Sequence, residues 1–283
     1  MLPKNISTFI ACDSEYGDAD IVLFGAGFDS TTSFRPGTRF APSAIRSESF
    51  GIETYSPYQD KDMEDYSYFD SGDIDVTFGG VRRTIADIAM RTDMILTDGK
   101  LPFMIGGEHL VTLGAVMAVK EKNEELYIIH FDAHADLRDD YLGQQLSHAC
   151  VMRRCHELVG DDHIFQFGIR SGEREEFHFA ADHTEMHKFD FEGLPETVER
   201  LKGKKVYFTV DLDILDPSVF PGTGTPEAGG VTFEELRKAV TLVCEKLDVV
   251  GCDVCELSPH YDQTGVSTAV ACKVIREMLL AMS

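Results

Sequence analysis

The chain has 283 residues, 43% of them hydrophobic, enough to bury one large core or two small ones. Its 49 Asp and Glu against 26 Lys and Arg leave a formal charge of -23, which opposes phosphate backbones and anionic membranes and suits small cationic ligands. Most of those carboxylates serve solubility. The opening Met1-Leu2-Pro3-Lys4-Asn5 lacks the apolar core of a secretory leader, and no apolar run approaches the ~20 residues of a membrane span, so a cytoplasmic protein with neither nucleic-acid nor membrane partners is expected. Seven cysteines, an odd number in apolar contexts, read as reduced thiols; Cys252 and Cys255 read as core strand, since no second pair or nearby His accompanies them.

Residues 21–25 form a short apolar run ending in Gly25-Ala26-Gly27, a dinucleotide-type turn that lacks its third glycine. Residues 29–46 are a polar loop punctuated by Arg35-Pro36-Gly37 and Ala41-Pro42, with Ser43 as the candidate cap of a helix. Residues 55–75, acidic and aromatic without a period, read as surface loop and short strand. From there the pattern alternates: helix 81–96, strand 101–105, helix 110–121, strand 126–131, helix 148–158, strand 163–169 and helix 174–181. Helix 194–201, strand 206–210, helix 233–247, strand 249–255 and helix 267–282 complete it. Such alternation predicts a three-layer α/β/α fold with a mostly parallel central sheet, and residues 1–283 read as one domain. The Pro- and Gly-rich stretch 217–230 reads as a site-lining loop.

Ligand-type residues gather where four of these strands end, the edge at which open parallel sheets place their sites. Strand 101–105 delivers Gly106-Gly107-Glu108-His109. Strand 126–131 runs into Asp132-Ala133-His134-Ala135-Asp136, where alternation aims 132, 134 and 136 the same way. Strand 206–210 ends in Asp211-Leu212-Asp213, and strand 249–255 in Glu256. Two His and four Asp are too many for one tetrahedral zinc but fit two ions sharing carboxylates, and an oxygen-rich set without thiolates favours Mn²⁺. Taken singly, an Asp-x-Asp is usually a turn and a lone His usually core or surface; the joint placement shifts the odds. His130, His156, His163, His178, His183, His187 and His260 lack such company and read as ordinary core or surface histidines.

These segments, together with Ser147-His148-Ala149, Pro221-Gly222-Thr223-Gly224, Phe34-Arg35-Pro36-Gly37, Phe167-Gly168-Ile169-Arg170-Ser171 and Glu256 before Ser258-Pro259, resemble the ureohydrolase family of arginases and agmatinases over nearly the whole chain, its bacterial agmatinase branch most of all. The resemblance implies the arginase/deacetylase-like fold and two Mn²⁺ per subunit. One ion would be held by His109, Asp132, Asp136 and Asp211, the other by Asp132, His134, Asp211 and Asp213. It also implies hydroxide attack on a guanidinium carbon, with Asp136 relaying a proton to the leaving amine, His148 shuttling protons with solvent, and Glu256 pairing with the guanidinium. The substrate implied is agmatine, cleaved to urea and putrescine, a polyamine, and the assembly implied is a homotrimer or homohexamer.

Where arginases place an Asn to hold the amino-acid carboxylate, this chain has Arg138, which favours a decarboxylated substrate unless Arg138 itself attracts a carboxylate or pairs with Asp139 or Asp140. Guanidinobutyrase or arginase activity is the alternative within the family. A single-zinc deacetylase relative would need a tandem His-His, which is absent, and retention of every ligand-type position argues against a non-catalytic binding protein on the same scaffold.

Overall fold

The computed structural model describes residue 2, residues 5–76 and residues 80–283. In chain order the strands and helices are β1 (Ile21–Ala26), α1 (Ala41–Ser49), the small hairpin β2 (Tyr55–Ser56) and β3 (Lys61–Asp62), β4 (Tyr68–Asp73), α2 (Val81–Thr97), β5 (Leu101–Gly106) and α3 (Val111–Lys122). Then follow β6 (Tyr127–Phe131), α4 (Val151–Val159), β7 (Ile164–Ile169), α5 (Arg174–His183), β8 (Glu185–Lys188), α6 (Leu194–Leu201), β9 (Lys205–Asp211), α7 (Phe233–Lys246), β10 (Asp248–Cys255) and α8 (Val266–Met282).

Eight strands form one sheet in the order β4-β1-β5-β10-β9-β6-β7-β8, and every pairing within it is parallel. Alternation along the central strands supplies two cores. Val206, Phe208 and Val210 of β9 pack on one face with apolar residues of α1, α6, α7 and α8. Tyr207 turns to the other face, among residues of α2, α3, α4 and α5. Each helix thus lays one stripe on the sheet, which makes the three-layer α/β/α sandwich that the alternating pattern predicts. All seven cysteines are free and buried, Cys252 and Cys255 within β10, as their apolar context indicates.

Three local expectations change. Helix α1 starts at Ala41 behind Phe40, with Pro42 in its first turn, so Ser43 lies inside the helix and does not cap it. Within 55–75 the expected short strand is β4, residues 68–73, but it is buried and not at the surface: its Asp70 pairs with the buried Arg46 guanidinium of α1 at 2.7 Å, so its charge is matched from another element. The edge strand β8 was not anticipated: Glu185–Lys188 is short and polar, and only its pairing with β7 defines it.

The last helix has an acid-sensitive anchor. Asp262 accepts from the backbone N–H of Thr264 and of Ser267, and from the hydroxyls of both, tying the α8 N-terminus to the loop before it. Burial raises its pKa, but these hydrogen bonds overcome that and depress it to about 2. A carboxylate depressed in the folded state stabilises above its unfolded pKa of about 4 and loses that contribution as the pH falls through the folded value. Asp262→Ala is expected to cost about 1 kcal/mol, roughly 2–4 °C in Tm, at neutral pH. In chelator-stripped protein the difference from wild type should vanish between about pH 4 and pH 2; thermal melts at pH 6 and pH 3 measure it, and equal deficits at both would refute the anchor.

Candidate functional site

The ends of β5, β10, β9 and β6 are contiguous in the sheet, so residues from four separate stretches meet along one edge. Close approach makes this possible at Gly107, where an added Cβ would stand 2.1 Å from the carbonyl oxygen of Phe28. Gly107 in turn accepts from the Glu256 N–H at 3.0 Å, which locks the end of β10 beside that of β5. Two carboxylate residues here have left-handed backbones, Asp136 (φ 53°) and Glu256 (φ 64°), a conformation that costs a non-glycine residue free energy unless neighbours enforce it. At Asp136 the enforcement is visible: its carbonyl accepts from Met152 and Arg153 at the start of α4.

All six positions singled out as metal ligands converge. His109 Nδ1 stands 3.1 Å from Asp132 Oδ2, 3.2 Å from Asp136 Oδ2 and 3.3 Å from Asp211 Oδ2. His134 Nδ1 lies 3.0 Å from Asp213 Oδ2 and 3.5 Å from Asp132 Oδ1. These side chains are buried except His134, which is partly exposed. Among the described residues no Lys or Arg side chain pairs with any of the four carboxylates.

The donor set tests for a cation. One nitrogen faces three carboxylate oxygens at nearly equal distance, and a single N–H cannot bond three acceptors. The other ring nitrogen, Nε2, meets the Thr209 hydroxyl at 2.9 Å; that hydroxyl donates to buried Asp253 at 2.6 Å, so it accepts from His109, and the neutral ring would turn its Nδ1 lone pair towards the carboxylates, which, against the effect of burial, lift its pKa well above the usual imidazole value. Lone pair and carboxylates repel unless positive charge lies between them, which a divalent ion supplies. The carboxylates report the same crowding. Burial, then the charges of Asp213 and Asp132, pushes Asp211 well above the usual carboxylate range; burial opposes ionisation of Asp132 too, but the His130, His109 and His134 rings hold it well below.

His148 and Glu256 form the next layer. The Ser33 N–H donates to His148 Nε2 at 2.9 Å, while His148 Nδ1 faces Glu256 Oε1 at 3.2 Å. Burial lowers the His148 pKa, but Glu256, then Asp136 and Glu108, lift it to about 9; Nε2 also lies 2.8 Å from the Ser33 hydroxyl, which accepts from the protonated ring. Cation charge beside Asp136 would offset the carboxylates that lift it. Glu256 Oε1 also accepts from the His109 N–H at 2.8 Å, whereas its buried Oε2 has no hydrogen-bond partner among the described residues. His134, Asp136, His148 and Asp211 line a cavity of about 210 Å³, with Ser33, Arg138, Glu176 and Thr225 among its other walls. Thr225 lies in stretch 217–230, and its hydroxyl donates to Asp213, so that loop does line the site.

Several residues here were not anticipated. His130, read as an ordinary histidine, lies 2.7 Å from Asp132 Oδ2 and belongs to the site. Its signal was its position two before Asp132, on the same strand face. Thr209 and Asp253 hold His109 from behind; the signal for Asp253 was a charge inside an otherwise apolar strand. Arg170 donates to the carbonyls of Asp213 (2.8 Å) and Glu227 (2.9 Å), clamping two loops. Arg138 pairs with Glu173 at 2.6 Å and Glu176 at 3.5 Å, and Asp139 pairs with Arg154. His156 and His183 both meet Asp161 at the surface, at 2.8 and 2.7 Å; each nitrogen there has an ordinary hydrogen bond, so nothing demands a cation.

The Arginase family profile matches residues 19–281. An agmatinase of Bacillus subtilis (strain 168) is 46% identical over 276 residues, 96% of this chain and 95% of that protein. A guanidinobutyrase of Pseudomonas aeruginosa is 32% identical over 282 residues, 95% of this chain and 88% of that one. A crystal structure from Clostridium difficile, 51% identical, superposes with a TM-score of 0.93 over 95% of this chain and 99% of its own.

Proposed function

Because the chain belongs to the arginase family, we propose that it is a binuclear manganese ureohydrolase that cleaves agmatine to urea and putrescine. His109, Asp132, Asp136 and Asp211 would hold one ion, and Asp132, His134, Asp211 and Asp213 the other, with Asp132 and Asp211 shared. When bound, such a pair supplies Lewis acidity and brings the pKa of a shared water towards neutrality. Asp136, on the cavity wall, takes up the released proton and passes it to the leaving amine. His148 exchanges protons with solvent through the cavity, and the unpartnered Oε2 of Glu256 receives the guanidinium. The observation that carries this reading is the single imidazole nitrogen facing three buried carboxylates, an arrangement that only added positive charge makes favourable.

The substrate's far end is read by charge. Among the described residues that line the cavity Arg138 is the one Lys or Arg, and Glu173 and Glu176 neutralise it, so the mouth is net acidic. That favours the terminal ammonium of agmatine over the carboxylate of arginine or 4-guanidinobutyrate. Urea release from the three substrates by Mn²⁺-loaded protein, with a chelated control, is expected to show agmatine preferred by at least tenfold in kcat/KM. A preference for 4-guanidinobutyrate would keep the chemistry and overturn the role of the acidic mouth. The homotrimer or homohexamer that the resemblance implies belongs to the same proposal, and the mass in solution measures it.

A further inference from the structure

His130 has two ring nitrogens within reach of polar atoms, and its neighbours fix which does what. Gln166 on the adjacent strand β7 approaches with its amide nitrogen, 2.8 Å from the carbonyl oxygen of Ala135 and 3.0 Å from His130 Nδ1. A carbonyl can only accept, so the nitrogen of the amide, and not its oxygen, must stand there. The amide oxygen then faces the Thr184 hydroxyl, which donates to it at 3.2 Å. With Gln166 donating, His130 Nδ1 accepts, and Nε2 carries the hydrogen that it donates to Asp132 Oδ2 at 2.7 Å. Neither nitrogen has a lone pair left for a metal, although the ring is fully buried beside Asp132 and His109.

We infer that His130, held by Gln166, is a positioning residue that aims the Asp132 carboxylate between the two cation positions, and is not itself a ligand. The inference rests on the metal reading above. Asp132 has one fixed donor on each oxygen: His130 Nε2 on Oδ2, and the backbone N–H of His134 on Oδ1 at 2.6 Å. That leaves Oδ2 turned towards the His109 group and Oδ1 towards the His134 group, as a shared carboxylate requires. Without His130, Oδ2 loses its donor and the carboxylate is free to rotate off the His109 side.

Equilibrium dialysis of Mn²⁺ against chelator-stripped protein tests this. Wild type is expected to hold two ions. His130→Phe, which keeps a ring but removes the donor, should still hold two at saturation, with one bound about 10–100-fold more weakly. His130→Gln, whose amide N–H can stand where Nε2 does, should recover most of that loss. Gln166→Leu, which releases the ring without touching β6, should shift the same ion in the same direction, and it carries the test if His130→Phe does not melt cooperatively. Both affinities within twofold of wild type in His130→Phe and Gln166→Leu overturn the inference. So does a stoichiometry of one at saturating Mn²⁺ in His130→Phe with normal folding, which makes His130 a ligand. A wild-type protein that binds no Mn²⁺ removes the premise, and the inference with it.

Discussion

Glu256→Gln is expected to lower kcat/KM for agmatine by about 10²–10⁴-fold while leaving Mn²⁺ content unchanged. The substitution preserves shape: the amide oxygen can still accept from the His109 N–H, as Glu256 Oε1 does at 2.8 Å. What changes is Oε2, buried and without a partner. A carboxylate oxygen in that state is costly until a cation reaches it, and the amide N–H₂ that replaces it would face a guanidinium donor to donor. Leaving a buried charge unpaired costs about 3–5 kcal/mol, which at 1.36 kcal/mol per decade is the loss stated. Glu256 belongs to neither group of converging imidazoles and carboxylates, so elemental analysis should find the same metal in variant and wild type. Turnover within twofold of wild type would show that Glu256 takes no part in substrate binding.

Asp132→Asn is expected to remove most of the metal and, with it, urea release. Asp132 is common to both groups, 3.1 Å from the nitrogen of His109 and 3.5 Å from that of His134. Asparagine keeps one acceptor oxygen but presents N–H₂ where the second cation needs an oxygen, and it removes one of the negative charges that offset the ions. The effect has a readout independent of activity. Binding to the folded state alone stabilises by about 2.7 kcal/mol at a hundredfold excess over Kd, so Mn²⁺ added to stripped wild type should raise Tm by roughly 5–10 °C. The Asn variant should show little or none of that rise. A full Mn²⁺-dependent rise in the variant would mean that Asp132 is not shared between the ions.

The residues that reach the site were legible because they obey a local rule. Strand alternation aims Asp132, His134 and Asp136 together, and parallel sheets open at their C-terminal ends, so the sequence pattern alone gathers those residues with His109, Asp211, Asp213 and Glu256. The buried strands were legible for the same reason: an apolar run between turn signals has few alternatives. Edge strands β4 and β8 were harder, because a strand buried on fewer sides tolerates Asp70 or Lys188, and its identity comes from its neighbour.

What the sequence by itself determined is the layered α/β architecture and the inventory of carboxylates and imidazoles at one edge of the sheet. Only the tertiary structure decided how they are used. It showed that β9 and β10 insert between β5 and β6, so that His109 meets Asp132 across two strands that come later in the chain. It turned Arg138 onto Glu173 and Glu176, and it left Glu256 with one oxygen engaged and one free. It also fixed His130 as a donor, through an amide on β7 and a carbonyl beyond β6. The physical reason is common to all four. Side-chain direction within a strand is a property of neighbouring residues, but a hydrogen bond or an ion pair is settled by which partners long-range packing brings within about 3 Å.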